Sequence, residues 1–189
     1  MTRTSFLEQL ENTQSCFARF NLVALQEKLD RTIEKLSDAL LAGKPVLVCG
    51  NGGSAADAQH IAGELVGRFL KERRALNVRA LSTDTSVITA WANDIAYETV
   101  FSRQVEAYGQ TGGVLWAIST SGNSANVLAA ASTARKLQMS VIALSGEGGG
   151  QLAPLSDILL DVPSKLTPRI QEMHVMLYHY ICEHIEARF

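Results

Sequence analysis

Cysteine is scarce in this chain of 189 residues. Cys16, Cys49 and Cys182 form neither a CxxC pair nor a disulfide framework, so a reducing cytoplasm is the expected compartment. No apolar run approaches the roughly 20 residues that span a bilayer, and the N-terminus has no signal-peptide core, so no membrane partner is expected. Basic blocks are lacking too. Seventeen Lys and Arg are spread along the chain against 19 Asp and Glu, a net charge of −2, and nothing marks a nucleic-acid surface. The small cluster Lys71, Glu72, Arg73 and Arg74 reads as the solvated end of a helix. Neither GxGxxG nor GxxxxGK[ST] occurs, which argues against dinucleotide and P-loop nucleotide sites. What is present, 47% apolar and 19% charged residues, suits one globular domain.

Over residues 5–42 apolar side chains recur at i, i+3 and i+4 (Phe6, Leu7, Leu10; Leu22, Leu25, Leu29, Ile33, Leu36, Leu40). This predicts two amphipathic helices, broken near Asn21 and closed by Gly43, with part of their apolar surface available to a subunit interface. From Lys44 onward short apolar runs at 46–49, 78–81, 114–118, 140–144 and 158–162 alternate with helical segments at 54–73, 85–92, 97–108, 124–137 and 169–187. Alternating strands and helices imply an α/β fold with a parallel sheet and ligands at the carboxyl ends of the strands.

That rule selects the loops. Residues 50–54 form a glycine-rich turn entering a helix, with Ser54 as the expected N-cap, and such a turn suits a phosphate or a sugar hydroxyl. Further along the same helix His60 and Glu64 share one face, four residues apart, close enough to share a metal ion or a substrate. The commoner meaning of such a pair is a solvated face. The small neighbours Ala55, Ala56, Ala58, Ala62 and Gly63 leave room for something to approach. Ser119, Thr120, Ser121 and Ser124 put four hydroxyls beside a helix start, which suits a phosphate monoester bound by neutral donors. Asn93 and Asp94 fit a substrate contact or a plain helix C-cap. The apolar helix near the C-terminus carries Gln171, His174 and His179; a histidine there is most often a core residue. Gln171 and His179 are roughly 12 Å apart along that helix, too far for easy joint ligation from one chain.

Taken together, GNGGSAADAQHIAGELVGR, ANDIAYETVFSRQVEA, STSGNSANV and RIQEMHVMLYH resemble the sedoheptulose-7-phosphate isomerases of the sugar isomerase (SIS) domain superfamily. The resemblance implies a single SIS-type domain over residues 44–189, with a five-stranded, flavodoxin-like, doubly wound parallel sheet, preceded by an oligomerisation segment over 1–43. It implies a cytoplasmic homotetramer with active sites between subunits and one zinc ion per subunit, held by His60, Glu64, Gln171 and His179. Asn51, Gly52, Gly53, Ser54, Arg68, Asn93, Asp94, Glu64 and Gln171 would contact the sugar, and Ser119, Thr120, Ser121 and Ser124 the phosphate. Glu64 would be the base and His179 the acid of an aldose–ketose isomerisation, from sedoheptulose 7-phosphate to D-glycero-D-manno-heptose 7-phosphate, feeding heptose synthesis for lipopolysaccharide core or other surface glycans. Non-catalytic alternatives are a tetramer that binds a replication initiator protein, as one superfamily member does without the Glu64–His179 pair, and a sugar-phosphate sensor, which would keep Ser119–Ser124 and need neither His60 nor Glu64.

Overall fold

In the computed structural model, which describes residues 5–189, the first helix opens on a capping box. The Ser5 hydroxyl accepts from Glu8 N at 3.2 Å and the Glu8 carboxylate accepts from Ser5 N at 2.6 Å. This helix, α1 (Phe6–Ala18), is followed by α2 (Leu22–Leu41), with the break at the expected place and Asn21 as the N-cap of α2. α2 ends at Gly43 with both bonds of a Schellman motif, Lys44 N to Ala39 O and Gly43 N to Leu40 O.

The strands are β1 (Val46–Cys49), β2 (Val78–Ala80), β3 (Val114–Ser119), β4 (Ser140–Ser145) and β5 (Ile158–Asp161). Each lies within one residue of the expected span. They form one sheet in the order β2-β1-β3-β4-β5, all parallel. The helices between and after them are α3 (Gly53–Val66), α4 (Thr85–Asp94), α5 (Val100–Tyr108), α6 (Ala125–Lys136) and α7 (Thr167–Glu186). The three central strands, β1, β3 and β4, are apolar on both faces because both are covered. Val46, Val48, Trp116 and Ile118 pack with residues of α2, α3 and α7, whereas Leu47, Cys49, Leu115 and Ala117 pack with α5 and α6. In this strand order the chain switches direction between β1 and β3, so the loops after them diverge and open a crevice at the carboxyl edge.

Two expectations need correcting here. α3 stops at Val66 and not near residue 73. The Glu186 carboxylate, at the end of α7, accepts from the backbone N–H groups of Phe69, Leu70 and Lys71 at 2.8, 2.6 and 2.8 Å, which a continuing helix would have bonded internally. Nor is the Lys71–Arg74 cluster a solvated helix end: the Arg73 side chain is 1% exposed, 3.5 Å from Glu186, and donates to Glu64 O and Gly67 O. The tertiary partner overrides the local helical pattern.

Of the N-terminal segment, α2 buries Leu29, Ile33, Leu36 and Leu40 in the domain's own core, whereas α1 buries only Cys16 and leaves Phe6, Leu7 and Leu10 exposed. No described helix is long and apolar enough to cross a membrane.

Candidate functional site

The glycine turn after β1 enters α3 with Gly52 at the N-cap position. Ser54, expected there, lies inside the first turn, buried, with its N–H donating to Asn51 O at 2.9 Å. The turn is fixed by Asn51. Its Oδ1 accepts from Tyr97 Oη and Asn126 Nδ2, both at 2.9 Å, and its Nδ2 donates to Asn126 Oδ1 at 2.8 Å. Asn126 stands in the first turn of α6, so this amide pair ties the two switch-point loops together.

In the second loop the Ser119 and Ser124 hydroxyls bond each other at 3.0 Å. Ser124 is the N-cap of α6 but makes no side-chain cap bond, so the first-turn N–H groups of α6 remain available to an anion. The loop is backed by the glycine-rich segment after β4. Gly146 N donates to Thr120 O, Leu152 N to Gly122 O and Gln151 N to Asn123 Oδ1. Gly122 has φ +65°, and a Cβ on it would strike Gly149 O, so only glycine fits.

α3 and α7 run side by side in parallel. Gly53 meets Gln171, Asp57 meets Tyr178, His60 meets His179, and the chain after α3 meets Glu186. At the middle of this contact His60 Nε2 lies 2.9 Å from Glu64 Oε1 and 3.4 Å from His179 Nε2. One ligand atom from each of the three residues falls within 4.8 Å of the others. Two imidazole nitrogens and a carboxylate oxygen in that span suit a divalent transition metal such as zinc. Burial, then the charge of His60, pushes the His179 pKa down, so its ring is held neutral with a lone pair to offer. Tyr178 Oη sits 2.9 Å from His60 Nδ1 on the outer side, and the Phe69 ring stacks 5.6 Å from that of His179. Gln171, expected as a fourth ligand, lies against Gly53 instead, so close that a Cβ there would strike its amide. Seven residues of α3, roughly 10 Å of rise, separate that point from His60.

The SIS domain profile matches residues 10–146. Phosphoheptose isomerase of Helicobacter pylori (strain P12) is 53% identical over 169 residues, covering 89% of this chain and 88% of that one. The Campylobacter concisus (strain 13826) phosphoheptose isomerase is 48% identical over 189 residues, 100% and 99% of the two chains. The chain belongs to the phosphoheptose isomerases of the SIS domain family. Their solved structures agree with this fold: that from Neisseria gonorrhoeae superposes with a TM-score of 0.85 at 43% identity, over 96% of this chain and 95% of that one. For Francisella tularensis the values are 0.91 and 35%, over 97% and 100%.

Within this phosphoheptose isomerase fold, the sequence-predicted residues gather unevenly. His60, Glu64 and His179 converge; Asn51, Gly52, Gly53 and Gln171 line one end of the α3–α7 contact; Ser119, Thr120, Ser121 and Ser124 form the loop across the switch point. Arg68 is exposed just beyond α3, and no bond among the described residues ties it to the triad. Asn93 and Asp94 are exposed in the last turn of α4 and bond each other at 2.8 Å. The chain reaches the glycine turn three residues later, through Tyr97. Sequence reading missed Asp57, Phe69, Tyr97, Asn126 and Tyr178. For Asp57 a signal existed, since an acid at i−3 shares a helix face with His60; the others act over separations of 46 to 118 residues. His174 is the core histidine expected of an apolar helix: it is fully buried, its Nε2 is 3.2 Å from Ser145 O, and burial lowers its pKa to about 4.

Proposed function

We propose that this chain interconverts sedoheptulose 7-phosphate and D-glycero-D-manno-heptose 7-phosphate through an enediolate. The observation that carries the reading is the convergence of His60, Glu64 and His179 where α3 packs on α7, in a chain about half identical to phosphoheptose isomerases over nearly its whole length. Ser119, Thr120, Ser121, Ser124 and the first turn of α6 hold the phosphate with neutral donors and the helix dipole. Asn51, Gly52, Gly53, Ser54 and Gln171 orient the sugar hydroxyls, with Asn93, Asp94 and Arg68 closing over them.

Moving the carbonyl from C2 to C1 requires taking a proton from C1 and returning one to C2. Glu64 Oε1 faces His60, which leaves Oε2 to take the C1 proton. His179, on the opposite helix, is the acid that serves the oxygens or returns the proton to the second carbon. A zinc ion held by His60, Glu64 and His179 would supply Lewis-acid polarisation of the developing enediolate oxygen. Gln171 belongs to the sugar in its own chain, and reaches a zinc site only from a neighbouring subunit.

The exposed apolar face of α1, with Phe6, Leu7 and Leu10, supports assembly into a homotetramer with active sites between subunits. The three free cysteines fit a cytoplasmic enzyme supplying heptose for lipopolysaccharide or other surface glycans. The test is incubation of the purified protein with sedoheptulose 7-phosphate, followed by NMR with zinc or with chelator. The aldose phosphate should appear with zinc and fade with chelator. Binding of the sugar phosphate without any turnover would replace this reading with that of a sensor.

A further inference from the structure

His60 is held from both sides, and the two sides make opposite demands on its single ring proton. Its Nε2 faces Glu64 Oε1 at 2.9 Å and His179 Nε2 at 3.4 Å, while its Nδ1 faces Tyr178 Oη at 2.9 Å. A neutral imidazole donates from one nitrogen and accepts at the other. With the proton on Nε2, the ring donates to Glu64 and the Tyr178 hydroxyl donates to Nδ1. For Nε2 to ligate a metal, the proton must sit on Nδ1 and donate to Tyr178 Oη. The hydroxyl proton of Tyr178 then has to turn elsewhere.

Asp57 is where it can go. This carboxylate lies one turn before His60 on α3, is 8% exposed, and has Oδ1 3.5 Å from Tyr178 Oη. Its Oδ2 is buried and meets no hydrogen-bond partner among the described residues. A buried carboxylate costs several kcal/mol unless something bonds it, and among the described residues Tyr178 is the only side-chain donor that bonds it.

We infer that Asp57 and Tyr178 are positioning residues that set the tautomer of His60, turning Nε2 from a hydrogen-bond donor to Glu64 into a metal ligand. Rotation of one hydroxyl, from Nδ1 towards Asp57, accompanies the change. The ring stays neutral: it releases one proton to water at Nε2 and takes one from water at Nδ1. The inference rests on the metal-site reading proposed above, but the ring proton can be read without turnover.

The test combines 15N NMR of histidine-labelled protein, before and after one equivalent of zinc, with zinc affinity measured by chelator competition. In the wild type the His60 ring should carry its proton on Nε2 without metal and on Nδ1 with it. Tyr178→Phe keeps the packed ring and removes the hydroxyl, and zinc affinity should fall about 10–100-fold. Asp57→Ala should do the same, while Asp57→Asn, which keeps an oxygen acceptor, should restore most of the loss. In a His60→Ala background neither change should alter zinc affinity by more than about twofold, the outcome for residues that act only through His60. Should Tyr178→Phe fail to fold, the two Asp57 variants decide alone. Zinc affinity within twofold of wild type in folded Tyr178→Phe or Asp57→Ala overturns the inference. A wild type that binds no zinc refutes the metal-site reading itself.

Discussion

Replacing Glu186 by alanine should destabilise the protein by about 3–5 kcal/mol, the range for removing one partner of a buried charged network. The carboxylate is buried and accepts from three consecutive backbone N–H groups at 2.6–2.8 Å, with Arg73 3.5 Å away. Bonds to a charged group contribute about 1.5–3 kcal/mol each. The full sum overstates the loss, because Leu70 and Lys71 are exposed and water can replace part of the acceptor, while Arg73 keeps its bonds to Glu64 O and Gly67 O. For a chain of this length the expected fall in Tm is about 6–20 °C. Glu186→Gln should fall between the two, since an amide oxygen keeps some of the acceptor and none of the charge. Acid separates the charge from the packing. Burial raises the Glu186 pKa, but the three N–H groups and Arg73 outweigh it and the net shift is downward. Its stabilisation is therefore complete above the unfolded carboxylate value of about 4.3 and is lost as pH falls through the lower folded value. The gap between wild type and Glu186→Ala in urea melts should be constant from pH 7 to 5 and close at lower pH. A Tm within 2 °C of wild type at pH 7 would refute the claim that this carboxylate ends α3 and pins the chain carrying Phe69 over His179.

Burial holds His174 neutral with a pKa of about 4, below the usual 6.5, so its contribution is whole above pH 6.5 and is lost as pH falls towards 4. Urea unfolding should show about 2 kcal/mol less stability at pH 5 than at pH 7.5, and His174→Gln should flatten that slope. Ser121→Ala combined with Ser124→Ala should raise KM for the sugar phosphate about tenfold or more with little change in kcat, consistent with loss of neutral phosphate donors; an unchanged KM would remove the loop from phosphate binding. If the chain assembles into the proposed tetramer, deleting residues 1–20 should give folded smaller species by light scattering, because α1 leaves its apolar face outside the core whereas α2 does not; a tetramer that survives the deletion would place the interface elsewhere.

The alternation of apolar strands and helices was legible because the three central strands are covered on both faces, and the rule that ligands lie at the carboxyl ends of parallel strands then pointed to the loops after the first, third and fourth strands, the first two of which hold candidate site residues. The shared helix face of His60 and Glu64 was legible from the i, i+4 spacing, but that spacing more often means a solvated face and did not by itself mark a site. Helix ends were less so. Ser54 is a good N-cap by propensity, yet the turn places Gly52 there, and α3 ends where Glu186, more than a hundred residues later, claims its next N–H groups. Gln171 and His179 sit on one helix, and only the parallel docking of α3 against α7 shows that one meets Gly53 and the other His60. The Asn51–Asn126 pair and the Tyr178–His60 contact join parts of the chain 75 and 118 residues apart, for which no local pattern exists.

The central claim is that Glu64 takes a proton from C1 of a phosphorylated ketose. The most direct measurement is NMR of sedoheptulose 7-phosphate in D₂O with wild type and with Glu64→Gln, alongside sugar-phosphate binding by calorimetry. With Glu64 as the base, the wild type should give an aldose phosphate carrying solvent deuterium at C2, and Glu64→Gln should bind substrate with neither product nor exchange. Aldose formation by Glu64→Gln at a rate near that of the wild type would contradict it.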